Sequence, residues 1–173
     1  MKEPLSKTHL LKLVFIIEEI SIKKYGVPFL GLRFDVWKLG PVSKDLFVEL
    51  SGEPYLLQEF IDVEVKDTNT IIHPKKEFCD DEFNDLEMNL LNEVTTRFLY
   101  CTAKELINHT HKKDSPWYNT AMRNGILELL ESGKMTTTDI PIDLFETIKD
   151  DEQKCLLYQN HQDFVSHLRI IKS

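Results

Sequence analysis

The sequence predicts a mainly α (α+β) fold: a single compact helical domain over residues 1–173 with one small antiparallel β-hairpin. Three observations lead there. Apolar residues recur with the 3.6-residue helical period in several stretches, the first being Leu10, Leu13, Val14, Ile17 and Ile20. Only the stretch from about Phe60 to Lys76 joins β-branched residues and alternating charges to a turn sequence, Asp67-Thr68-Asn69. And 173 residues, 42% of them hydrophobic, bury a core without disulfide or metal staples.

The first helix is predicted from a Ser6 or Thr8 cap to about Lys24, with Gly26 just past its end. Leu11, Phe15 and Ile16 widen its apolar stripe, which marks it as the central helix, covered on several sides. Glycines and prolines then punctuate an extended piece with Leu32, Phe34 and Val36 on one face. Pro41 is expected to open a short helix, capped by Ser43, with Leu46, Phe47 and Leu50 inward. In the hairpin, Pro74 suits only an edge position.

A helix from about Asp81 to Phe98 follows, with Phe83, Leu86, Leu90, Leu91, Val94 and Phe98 on one side and an Asn84–Glu87 capping box. Another begins after Thr102 with Leu106 and Ile107 inward, and Ser115-Pro116-Trp117 restarts the chain as a helix to about Asn124. Residues 135–141 read as a loop before a short helix at Ile142–Ile148. A last helix, from about residue 150 to 172, carries Leu157, His161, Phe164, Leu168 and Ile171 at spacings of four, three, four and three. That stripe is expected to pack on its own domain, with a partner or a second copy as the competing readings.

Charge and cysteine content narrow the function classes. With 29 acidic against 21 basic residues and a formal charge of −8, the chain lacks a strongly basic balance for nucleic acid; a basic protein partner is the natural complement. Cys79, Cys101 and Cys155 are scattered and odd in number, with no CxxC spacing, as in reduced cytosolic thiols. No signal peptide is expected, and no apolar run approaches the roughly 20 residues that span a bilayer. The expected location is cytoplasmic.

Catalytic fingerprints are missing: the sequence has no phosphate loop, GxGxxG, GxSxG or HExxH. His109-Thr110-His111 is the nearest metal-like cluster, but helical residues two apart point about 200° away from each other. The acidic run through Glu77, Asp80, Asp81, Glu82 and Asp85 reads as helix capping and solvation before docking or catalysis. No cofactor and no metal are expected. Trp37 and Trp117, beside Gly-Pro and Ser-Pro punctuation, are either core residues or anchors of a binding groove.

Three stretches together carry a family resemblance. Phe34-Asp35-Val36-Trp37-Lys38-Leu39-Gly40-Pro41-Val42 resembles the F-x-A-W-x-x-G-P-V signature of the Panacea domain, the SocA-like, phage-associated GepA family of antitoxins. Thr102-Ala103-Lys104-Glu105-Leu106, then Thr110-His111, then Pro116-Trp117 resembles its second signature, and Leu10 to Leu13 its opening helix. The resemblance covers about residues 6–145; Asp35-Val36 replaces the usual Glu-Ala. It implies a toxin–antitoxin antidote that binds a cognate toxin protein directly, or an adaptor that delivers the toxin to a ClpXP-type protease. The motif residues Asp35, Trp37, Gly40, Pro41, Val42, His111 and Trp117 are the candidate binding residues, and the two signatures are expected to meet as one feature, either a floor of the core or a wall of a groove. Two competing readings are an enzyme, a small hydrolase or a metal-dependent one, with a site around His111 and Asp35, and a nucleic-acid-binding regulator using Lys7, Lys12, Lys23 and Lys24.

Overall fold

The computed structural model describes residues 4–172, and the side chains of residues 4–168. Its strands are β1 (Leu5–Ser6), β2 (Asp35–Trp37), β3 (Gly40–Val42), β4 (Ile61–Lys66) and β5 (Asn69–Pro74). Its α-helices are α1 (Lys7–Tyr25), α2 (Lys44–Glu49), α3 (Asp85–Phe98), α4 (Ala103–Thr110), α5 (Pro116–Arg123), α6 (Leu127–Glu131) and α7 (Glu152–Lys172). The result is a mainly helical α+β fold with two small antiparallel sheets, β1-β5-β4 and β2-β3.

Helix α1 is the axle, as its wide apolar girth implies. Ser6 caps it by accepting the His9 N–H, and Gly26 ends it at φ 72°. One side joins the main core, where Phe15, Ile16 and Ile22 pack with Phe34, Val36, Leu90, Val94, Leu106 and Trp117. Leu11 on another side joins Leu50 and Ile72 in a smaller core beneath α2 and the three-stranded sheet. A helix enclosed on so many sides also buries polar residues, and each has a defined partner. Glu18, 1% exposed, accepts from the backbone N–H groups of Leu30 and Gly31, which ties the Gly-Pro loop to the helix. Desolvation raises its pKa, and those same backbone donors oppose the rise. The Ser21 hydroxyl donates to the Val27 carbonyl.

The helix starts follow local chemistry. Asn84 forms a complete capping box with Glu87, so α3 begins at Asp85, four residues later than the acidic run suggested. Thr102 with Glu105 forms a second box, and Ser115 caps α5 with Pro116 in its first turn.

Five expectations need correction. Pro41 does not open a helix: it lies in β3, paired with Val36, and the helix begins at Lys44. Proline tolerates this place because its missing N–H leaves a short two-stranded ribbon almost undisturbed. Pro74 ends a central rather than an edge strand, because the unforeseen β1 covers β5 on its other side. The stretch 136–142 is no free loop. It runs antiparallel to β2, with Val36 N–H donating to the Ile140 carbonyl, Lys38 N–H to Thr136 and Ile142 N–H to Phe34. The short helix expected at Ile142–Ile148 is one 3-10 turn at Phe145–Thr147. Helix α6 had no counterpart in the sequence reading.

The last correction concerns α7. Tyr158 packs against Phe145, and Lys154 lies over Gly26, so its first turns are seated. The stripe expected to face the core faces solvent instead: Leu157 is 48% exposed, Phe164 61% and Leu168 39%. His161 is half-buried, and the Ile171 side chain lies outside the described residues.

Asn84→Ala removes the acceptor for two backbone N–H groups, those of Leu86 and Glu87. The expected loss is about 1 kcal/mol of stability, read as a lower urea midpoint at unchanged m-value.

Candidate functional site

The two signatures meet in space. Trp117 sits in the first turn of α5, where Ser115 and Pro116 fix the helix start, and its indole N–H donates to the Trp37 carbonyl at 2.9 Å. Trp117 is 2% exposed, a floor of the core. His111, the C-cap of α4, stacks on that indole with ring centroids 3.8 Å apart and planes 10° from parallel.

Gly40 is what lets the strands come this close. Its φ of +99° is closed to most side chains, and an added Cβ would lie 2.8 Å from the Thr110 hydroxyl and 3.0 Å from the Lys12 Cε. Thr110 belongs to the second signature and Lys12 to the opening helix, so all three signatures converge on one glycine.

Lys12 departs from the sequence expectation. It interrupts an apolar run, yet it does not stand with Lys7, Lys23 and Lys24 on an exposed basic face. It is 1% exposed, and its ammonium donates to the Pro41 carbonyl at 2.8 Å. Lys23 and Lys24 are paired with Glu19 and Glu93, and Lys7 lies over the Phe47 ring. The four lysines therefore do not share one face among the described residues. The available signal was a lone lysine inside a stripe otherwise committed to burial.

Burial sets the electrostatics. Desolvation pulls the Lys12 pKa down to about 7. The His111 pKa falls to about 4, first through desolvation and then through the charge of Lys12. The His111 imidazole is therefore neutral at neutral pH, and its buried Nε2 has no hydrogen-bond partner among the described residues.

Trp37 is half-buried on the opposite side of β2. Its indole N–H donates to the Thr138 carbonyl at 3.1 Å, and the Thr138 hydroxyl returns a bond of 2.7 Å to Val36. Its ring meets Phe47 of α2 edge-on at 5.0 Å. Pro41 and Val42 are buried with Gly40. Asp35 is 2% exposed and faces elsewhere, between Arg33 (2.9 Å) and Lys44 (3.6 Å). It lines a polar hollow with Asp45 and Asp139 in which His111 takes no part. Asp35 and His111 thus do not form the joint site of the enzyme reading. No group of three histidine, cysteine, aspartate or glutamate side chains among the described residues is placed to hold a metal ion.

What the fold and this cluster define is an α+β scaffold whose motif residues lock two strands, two helices and the central helix into one buried frame. The family described as antitoxin SocA-like, Panacea domain, matches residues 10–118, and these include all seven candidate residues. That is well over half of the chain, and the chain belongs to this family of antitoxin-like proteins. No curated protein and no solved structure matches it. No described helix is long and apolar enough to cross a membrane.

Two outcomes test the frame. Gly40→Ala, strained at positive φ and crowded by Thr110 and Lys12, is expected to cost about 2 kcal/mol or more, measured by chemical denaturation. The second is a pH dependence. Lys12 binds its proton less tightly folded, at about 7, than unfolded, at 10.5. Between those values the unfolded chain holds more protons, so stability rises with pH through this window, by up to about 1.4 kcal/mol per unit. It is lost again as pH falls towards 7. Lys12→Met is expected to flatten that slope in denaturation curves recorded from neutral to alkaline pH.

Proposed function

We propose that this chain is the antitoxin of a toxin–antitoxin module and neutralises its cognate toxin, a protein, by direct contact in the cytoplasm. The observation that carries this reading is family membership through the very signatures that build the buried frame. The frame's inner residues are committed to architecture, so contact falls to the side chains it holds outward. Leu39, in the turn between β2 and β3, and Val48 of α2 are both exposed, flanking the half-buried Trp37 and Phe47. In this reading Trp37 is the groove-side residue, and His111 and Trp117 set its height.

The functional unit extends past the match. Residues 136–142 pair with β2, and Ile142, Leu144 and Ile148 belong to the main core. On those grounds we take residues 4–148 with the first turns of α7 as one domain. Adaptor-mediated delivery to a ClpXP-type protease is the degradative form of the same reading, and it differs in predicting a shortened toxin half-life.

The test is co-expression with the product of the adjacent gene. Growth rescue and co-purification are expected, with toxin levels unchanged for steric neutralisation. Leu39→Glu with Val48→Glu is expected to reduce rescue at least tenfold while leaving the thermal midpoint of the purified protein in place. Absence of both rescue and a complex with any neighbouring product would remove the proposal.

A further inference from the structure

We propose that the free edge of β4 is a self-association site: it pairs antiparallel with β4 of a second copy of this chain, centred on Glu64, and joins two three-stranded sheets into one.

The register of the hairpin fixes which backbone groups this edge presents. A two-residue turn, Asp67-Thr68, joins β4 to β5 and sets Lys66 opposite Asn69. In such a hairpin the pair flanking the turn is hydrogen-bonded, and bonded and non-bonded pairs alternate from there. Ile61, Val63 and Val65 therefore turn their N–H and C=O groups away from β5. The Ile61 N–H, which donates to the Leu57 carbonyl, agrees with that phase. No backbone bond joins the outward groups of Val63 and Val65 to another element among the described residues.

Open edges are commonly guarded by a proline, a bulge or a charge pointing inward. β4 has none of these: its pairing runs without interruption, and Ile61, Val63 and Val65 share the inward face. Val63 packs on the smaller core, while Val65 is 61% exposed.

Such an edge takes a strand, and the side chains of β4 say whose. Centred on Glu64, Val63 of each copy exchanges backbone bonds with Val65 of the other, which satisfies every outward group of both valines. It also lays one valine side chain beside the other and covers the exposed one. Because the pairing is symmetric, Asp62 of each copy faces Lys66 of the other. Other registers lack this match. Centred on Val63, the pairing sets Asp62 against Glu64; centred on Val65, it gives Val63 the turn residue Asp67 as its partner. Glu64 meets its counterpart at the centre, and Lys66 of its own chain, 2.8 Å away, offsets that like charge. One strand pair is a small contact, of the size at which association is transient. The toxin-binding proposal uses the β2–β3 turn and α2, so it stands or falls separately.

Sedimentation velocity on the full chain, from micromolar to millimolar concentration, tests this. The expected mass rises from 20.3 kDa towards twice that value. Val65→Pro removes an N–H that β5 does not use, and is expected to abolish the rise with helical circular dichroism and thermal midpoint in place. Asp62→Lys and Lys66→Asp each set like charges opposite one another, and each alone is expected to weaken association roughly tenfold. An equal mixture of the two variants is expected to regain it, since every lysine in the mixed pair again faces an aspartate. A wild-type chain of single mass throughout overturns the proposal. So does association that folded Val65→Pro leaves intact, or that mixing fails to restore. A single-mass chain whose toxin complex is lost on Val65→Pro gives the edge to the toxin, and that too overturns self-pairing. If Val65→Pro does not fold, the two charge variants and their mixture decide the matter by the same readings.

Discussion

An ammonium group enclosed in apolar surroundings must find an acceptor or give up its proton, and Lys12 has been given one carbonyl, that of Pro41. That contact governs how the central helix meets the β2–β3 ribbon. It fixes the strand that follows Gly40, and Gly40 in turn admits Thr110 and the Lys12 stem within van der Waals reach. Across the ribbon, the Trp37 carbonyl receives the Trp117 indole N–H. The two signatures, whose bonded tryptophans lie 80 residues apart, are therefore halves of one hydrogen-bonded joint. Their residue types follow from its geometry: a glycine for closeness, a proline that needs no donor, a tryptophan long enough to reach a backbone carbonyl.

This explains why the motif residues are so little exposed. Trp117, Pro41 and Val42 are buried in the joint, and His111 reaches its surroundings as a neutral ring stacked on an indole. Such a frame is stiff, because each polar atom that moved out of place would leave a buried partner unsatisfied. A stiff frame lowers the ordering cost of binding for whatever side chains it holds outward. The departure at Asp35 fits the same logic. The shorter carboxylate is held between Arg33 and Lys44, beside the ribbon, and is not shared with His111.

The chain outside the matched region is built on other terms. Residues 136–142 complete the β2 edge chiefly by backbone bonds, to which the Trp37 indole N–H adds one to the Thr138 carbonyl and the Thr138 hydroxyl one to the Val36 carbonyl. Backbone pairing requires little of the side chains. The segment Met135 to Pro141 therefore looked like a loop, its threonines, aspartate and proline hiding its role. The same holds for β1, where two residues suffice to turn β5 from an edge into a central strand.

Local chemistry settled a good part of this protein from sequence alone. The Gly26 stop, the start after Thr102 and the Ser115-Pro116 start place ends of α1, α4 and α5 close to their observed limits, and the Asn84–Glu87 box is present although α3 begins four residues after the expected Asp81, because each cap is completed within four residues of chain. Hydrophobic period marked α1 as the axle, and the ordered signatures marked the residues that meet at the joint. Only the tertiary structure decided which polar residues are buried and which apolar stripe is not. Lys12 is enclosed because the β2–β3 ribbon and the end of α4 close over it, and α7 shows leucines and phenylalanine to water because its body-facing side is taken by Tyr158. Periodicity reports that a face is apolar; what covers that face depends on where distant segments pass, and no local pattern carries that information.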